Sequence, residues 1–228
     1  MNWPRTIAMY DDRISAVPSS TQGNFPLAIL AKAPLPGKAK TRMIPALGAE
    51  GAARLQARLI QLTLATALES TPAANITLWT ALDHQHPLFL SLADTYGITL
   101  RAQPSGDLGT RMHHALQCMK KPGLLIGTDC PALCRNMLIL CFQQLNHVDS
   151  VFLPAMDGGY ALVGVRNTDL ELFSDISWGT SRVMAQTRDR LARLGWSLSC
   201  PAKVRDLDTP EDLMHLTNKE LNSLEISL

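Results

Sequence analysis

The stretch that most constrains the fold is Leu27–Arg42, LAILAKAPLPGKAKTR. It opens with an apolar run, Leu27-Ala28-Ile29-Leu30-Ala31, short and sharply bounded, which is the pattern of a buried strand. Pro34, Pro36 and Gly37 follow and exclude helix, so the next segment is a loop. The segment carries Lys32, Lys38, Lys40 and Arg42 and no acid, and a long helical pattern begins soon after Gly48. Strand, basic loop, helix is an arrangement that holds phosphates at the carboxyl edge of a sheet. On its own such a cluster is also the pattern of a solvated surface loop. It is not a P-loop: Gly37-Lys38 is followed by Ala39, and the glycine that must open that motif is replaced by Lys32. No G-x-G-x-x-G follows an apolar run either.

Size and charge narrow the classes further. A chain of 228 residues suits one sizeable α/β domain, expected over residues 25–228. Residues 1–24 are mixed and aperiodic, and are expected to be a poorly ordered extension. A net charge of +1 argues against nucleic-acid or anionic-membrane partners, so any basic site is local. No apolar run reaches the length of a membrane span, and the first residues lack a signal core. Five cysteines, an odd number, point to reduced thiols and the cytoplasm. The spacing of Cys130, Cys134 and Cys141 does not match zinc patterns, which makes them core thiols.

Along the chain, apolar residues at helical spacing predict a helix over 49–68, with strands at 75–82 and 98–102 and a short helix over 87–94 between them. Asp107 in GDLGTRM is placed as a helix N-cap. A nucleotide could meet this helix start, with Arg111 reaching it, or the helix is simply capped. Leu124–Thr128 reads as a buried strand ending at Asp129, where α/β enzymes put ligands and where a carboxylate suits Mg²⁺. Two strands, 148–156 and 160–166, flank Asp157-Gly158-Gly159, glycines that serve either a hairpin turn or a ligand's close approach. A helix is expected over 181–194 and a last strand over 196–200. In DLDTPEDL, Asp208 or Thr209 caps a helix that starts with Pro210; capping uses one acid and leaves the other for a metal.

Assembled, the chain resembles the GT-A-type nucleotidyltransferase and glycosyltransferase superfamily. It is most similar to the radical-SAM/selenodomain-associated transferases, through AKAPLPGKAKTR, GDLGTRM, LLIGTDCP, PAMDGGYALVGV, the WGT segment and DLDTPEDL. The basic loop and DLDTPEDL are also similar to those of phospholactate guanylyltransferase and molybdenum-cofactor nucleotidyltransferases. The resemblance implies a Rossmann-like three-layer sandwich with a mixed, mostly parallel sheet. It implies nucleotide binding by Lys32, Pro36, Gly37, Lys38, Lys40 and Arg42, with Asp107 and Arg111. Asp129 would be the metal acid, with Asp206 or Asp208 its distant partner, and Asp157, Gly158, Gly159 and Tyr160 would line the acceptor side. Lys40, Arg42 and Asp129 would carry the chemistry.

The implied activity is metal-dependent transfer from a nucleotide to a small-molecule acceptor, with Mg²⁺ or Mn²⁺, by a monomer or homodimer. Nucleotidyl transfer from an NTP, releasing pyrophosphate, fits the basic loop. Glycosyl transfer from a nucleotide-sugar usually places D-x-D at the strand end, and here the first position is Gly127. A non-catalytic nucleotide-binding protein is the third reading. Without a cation between them, the metal acids would repel one another.

Overall fold

The computed structural model describes residues 8–10, 14, 17, 23–119, 122–216, 221 and 224. Its strands are β1 Ala8–Tyr10, β2 Leu27–Lys32, β3 Ile76–Ala81, β4 Thr99–Ala102, β5 Gly123–Ile126, β6 Ser150–Pro154, β7 Tyr160–Val165, β8 Leu198–Ser199 and β9 Ala202–Val204. Its α-helices are α1 Ile44–Ser70, α2 Pro87–Tyr96, α3 Leu108–Gln117, α4 Arg135–Gln144, α5 Val183–Leu194 and the short α6 Pro210–Leu213. The expected extension, residues 1–24, lies mostly outside the described residues. Within it, β1 pairs antiparallel with β9.

β2 to β8 form one seven-stranded sheet in the order β4-β3-β2-β5-β7-β6-β8. β2 pairs parallel with β3 and β5, and β3 with β4. β7 alone runs against its neighbours β5 and β6. This is the mixed, mostly parallel sheet that the family resemblance implies. β2 is apolar from Leu27 to Ala31, where both of its faces are covered, and ends in the exposed Lys32. Leu27 and Ile29 pack with Ile60 and Leu64 of α1 and Leu138 of α4. Ala28, one residue out of phase, packs on the opposite face with Met112 of α3 and Leu191 of α5. That alternation sets the three layers.

β2 and β5 run parallel, so their following loops lie at the same edge of the sheet, although β2 continues three residues past the end of β5. Helix α1 is broken where Gly48 takes φ 68°, which turns the chain from the basic loop into the long helix. The β6–β7 connection is a hairpin, as one of the two readings of Asp157-Gly158-Gly159 had it. Gly158 has φ 94°, and a Cβ there would run into the backbone of Ser181. Its carbonyl accepts from Met184 N at 2.8 Å. The packing of the segment that leads into α5 therefore already requires a glycine here. No described helix is long and apolar enough to cross a membrane.

Candidate active site

The loops at the carboxyl edge enclose a cavity of about 500 Å³. Lys40 sits at its floor with only 8% of its surface exposed. Its backbone is left-handed, φ 48°, ψ 42°, a conformation few non-glycine residues adopt. The side-chain ammonium bonds Asp129 Oδ1 at 2.8 Å, donates to the carbonyl of Leu207 at 2.5 Å and lies 3.6 Å from Asp208 Oδ1. Arg42 donates to Asp208 Oδ2 at 3.0 Å from the rim, its side chain 63% exposed. Leu207 N donates to the carbonyl of Asp129 at 2.7 Å, so the loop after β5 and the segment after β9 are joined through their main chains as well. A buried ammonium is tolerated here because every direction it faces holds an acceptor.

The acids do not behave alike. Burial, then the charge of Asp157, pushes the Asp206 carboxyl up to about 6. A folded-state value above the usual one means that this group's contribution to stability is present at low pH and is lost as pH rises through about 6. Asp206→Asn is accordingly expected to raise the thermal midpoint at pH 7.5 and to leave it nearly unchanged at pH 4. Unfolding scans at the two pH values check this; a midpoint that falls at pH 7.5 would contradict it.

Among the described residues, no three His, Cys, Asp or Glu side chains converge as a ready metal cage. The trio Asp129, Asp206 and Asp208 is therefore not a preassembled ligand set. Asp129 and Asp208 are brought together with Lys40 between them, while Asp206 feels Asp157 most among the neighbouring acids. Two oxygen-bearing side chains still fit Mg²⁺, which keeps several waters and binds through one or two carboxylates plus phosphate. The expected repulsion between metal-free acids is already countered by the Lys40 ammonium.

Of the other residues singled out in the sequence, Lys32, Lys38, Arg111, Asp157, Gly159 and Tyr160 line the cavity. Pro36, Gly37, Asp107 and Gly158 do not. Pro36-Gly37 shape the turn that brings Lys38 round. Asp107 caps α3 by accepting from Thr110 N at 2.8 Å and also accepts from Trp178 Nε1 at 3.2 Å. It holds the Trp178 ring in place. Those hydrogen bonds to Thr110 hold its carboxyl below the usual range. Trp178 stands edge-on to Tyr160, ring centroids 6.4 Å apart, and burial keeps the Tyr160 phenol protonated well past its ordinary value.

Sequence reasoning missed Gln56, Thr128 and Gln103. Gln56 is 4% exposed on the apolar stripe of α1 and donates to Thr128 Oγ1 at 3.2 Å. A polar residue within an apolar helical face was the available signal. The five cysteines are free, as expected; Cys130 donates to the carbonyl of Arg205, and burial pushes its thiol up to about 12.

Residues 63–180 match the profile of a family described as an uncharacterized protein conserved in bacteria (DUF2064). No curated protein matches the chain. Among solved structures, a candidate nucleotide-diphospho-sugar transferase from Desulfovibrio desulfuricans G20 superposes with a TM-score of 0.76 at 27% identity, over 86% of this chain and 87% of that one. A nucleotidyl transferase from Methanothermobacter thermautotroptrophicus superposes with a TM-score of 0.55 at 15% identity, over 88% and 100%. CMP:2-keto-3-deoxy-manno-octonic acid synthetase complexed with CTP gives 0.51 at 11%, over 84% and 96%. At such identities the last two speak for the fold alone.

Proposed function

The chain belongs to the bacterial family DUF2064, and on that premise we propose that it is a nucleotide-using transferase that moves a nucleotidyl group from an NTP to a small acceptor and releases pyrophosphate. The observation that carries this reading is the meeting of Lys38, Lys40 and Arg42 with Asp129 and Asp208 in one cavity. Lys38 is exposed and can turn toward the terminal phosphates of an entering nucleotide, and Arg42, exposed at the rim, would exchange its bond to Asp208 for one to phosphate. Lys40 holds its charge at the floor and is oriented before ligand arrives, so no reorganisation is needed when negative charge develops.

In the proposed step, an acceptor oxygen bonds to the α-phosphorus while the bond to the leaving pyrophosphate breaks, its electron pair going to that group. A hydroxyl acceptor gives its proton to Asp157, whose carboxylate already accepts from Gly159 N at 2.8 Å on the acceptor side. Mg²⁺ or Mn²⁺, when bound, would neutralise charge on the phosphates; Asp129 and Asp208 are the residues that would hold it. Tyr160 and Trp178 form the wall against which the acceptor rests. The cytoplasm is the proposed location, in keeping with five unpaired thiols.

Glycosyl transfer from a nucleotide-sugar is the second reading, favoured by the likeness to the Desulfovibrio protein. Calorimetric titration separates the two. An NTP with Mg²⁺ is expected to bind about tenfold more tightly than the matching NDP-sugar, because a third phosphate adds a charge-assisted hydrogen bond of about 1.5–3 kcal/mol. The gap should close when Lys38 and Arg42 are both replaced by alanine. Tighter binding of the NDP-sugar would overturn the nucleotidyl reading and favour the glycosyl one.

A further inference from the structure

The face of the sheet that α3 covers holds a second cavity, of about 60 Å³, room for a group of a few heavy atoms. It lies away from the transferase cavity. Leu27, Ala28 and Thr77 line it from the starts of β2 and β3, whereas the transferase cavity takes Leu30, Ala31 and Lys32 from the far end of β2. Ala115 of α3, with Cys118 and Met119 just beyond that helix, closes the other side.

Strand register decides which polar groups this cavity receives. Thr77 and Trp79 are two apart on β3 and share a face, and Arg101 stands beside Trp79 on β4. Trp79 is 3% exposed, and its Nε1 is the one buried side-chain nitrogen or oxygen among the described residues without a hydrogen-bond partner. A buried donor left unmet is costly and calls for an acceptor. The strand that carries the indole is held: Gln103 Nε2 donates to the Trp79 carbonyl at 2.9 Å and to the Ala31 carbonyl at 3.2 Å, tying β3 to β2. The Arg101 guanidinium lies over the Trp79 ring, 5.7 Å from its centroid, and pairs with no acid among the described residues. The Cys118 thiol is already engaged, 3.7 Å from His114 Nε2. An indole N–H and a guanidinium only donate, so what the cavity lacks is an acceptor with negative charge.

We propose that this second cavity binds the carboxylate of a small organic acid. One carboxylate oxygen accepts from Trp79 Nε1, the Arg101 guanidinium supplies the opposite charge, and a short apolar stem rests against Leu27 and Met119. Arg101 is the one charged residue among the described residues that line the cavity, so it matches a monoanion. A phosphate dianion would bring a second charge into a largely apolar lining with no other cation to meet it. Water would satisfy the indole and leave Arg101 unpaired. The planar guanidinium fork suits a carboxylate. This site does not depend on the nucleotide reading of the first cavity.

The test is a ¹⁵N–¹H titration of the full chain, free of nucleotide, with sodium acetate and sodium propionate, against sodium chloride and sodium phosphate at matched ionic strength. The indole signal of Trp79 is identified by its loss in Trp79→Phe. That signal is expected to move and to saturate at millimolar carboxylate, and to stay in place with chloride and phosphate. The Arg101 side chain is exposed, so Arg101→Leu leaves the fold intact. In that variant the half-saturating concentration should rise about tenfold or more, the worth of one charge-assisted hydrogen bond. A Trp79 signal that ignores both carboxylates overturns the proposal and leaves the cavity to water. So does an equal response to chloride or phosphate, and so does a half-saturating concentration that does not rise in Arg101→Leu.

Discussion

Lys40→Met is expected to lower turnover by at least about 100-fold, the scale of removing one preorganised charge-stabilising group. Pyrophosphate release with the best-binding NTP measures it. The ammonium is the one group that touches Asp129, Asp208 and the Leu207 carbonyl together. Stability should fall as well. Stranding the partner of a buried ion costs about 3–5 kcal/mol, but the Asp129 and Asp208 side chains are 53% and 33% exposed, and water screens them. A loss of about 1–3 kcal/mol is expected, the cost of leaving acceptors without their donor. Millimolar Mg²⁺ should restore part of the melting temperature in the variant, because a cation can take up the vacated charge. Turnover within threefold of wild type would show that Lys40 is only a structural tie.

Asp129→Asn is expected to remove turnover by about 1000-fold or more and to leave the fold intact, with a chelator having the same effect on the unmodified enzyme. Sequence reasoning alone would have this variant gain stability without metal, by relieving repulsion among acids. The structure reverses that expectation. The Lys40 ammonium stands 2.8 Å from Asp129 Oδ1, so the charge removed is an attractive partner. Asparagine keeps an oxygen for Lys40, and the main-chain bond from Leu207 N is untouched. Metal-free stability should therefore fall by less than about 1 kcal/mol, as for other partly exposed pairs. Activity that survives chelation would end the metal reading; a higher melting temperature would end the account of Lys40 as the acids' counter-ion.

Local chemistry made much of this legible in advance. The continuous apolar run of β2 announced a strand covered on both faces. Asp107 caps α3, and Thr209 with Asp212 forms a capping box around Pro210, both as residue type and spacing required. Element ends moved by a few residues, as they do where fraying competes with pairing. Less legible was anything decided by contacts distant in sequence. Lys40 reads as one more exposed lysine until residues 129, 207 and 208 close over it. Gly158 reads as a turn glycine, yet the backbone of Ser181 requires it. Gln103 carries no motif, and its orientation follows only from the two strands whose carbonyls it ties.

The tie from Lys40 to Leu207 spans 167 positions of the chain, and this dates the site's completion during synthesis. A chain still growing through α5 already has its basic loop, β5 and Asp129, but no Leu207 or Asp208. At that stage Lys40 has only Asp129 of its three partners. Only the segment after β9, the last part of this cluster to arrive, supplies the second acid and the carbonyl that seat Lys40. A protease that cuts ahead of that segment would take both away and leave Lys40 with Asp129 alone.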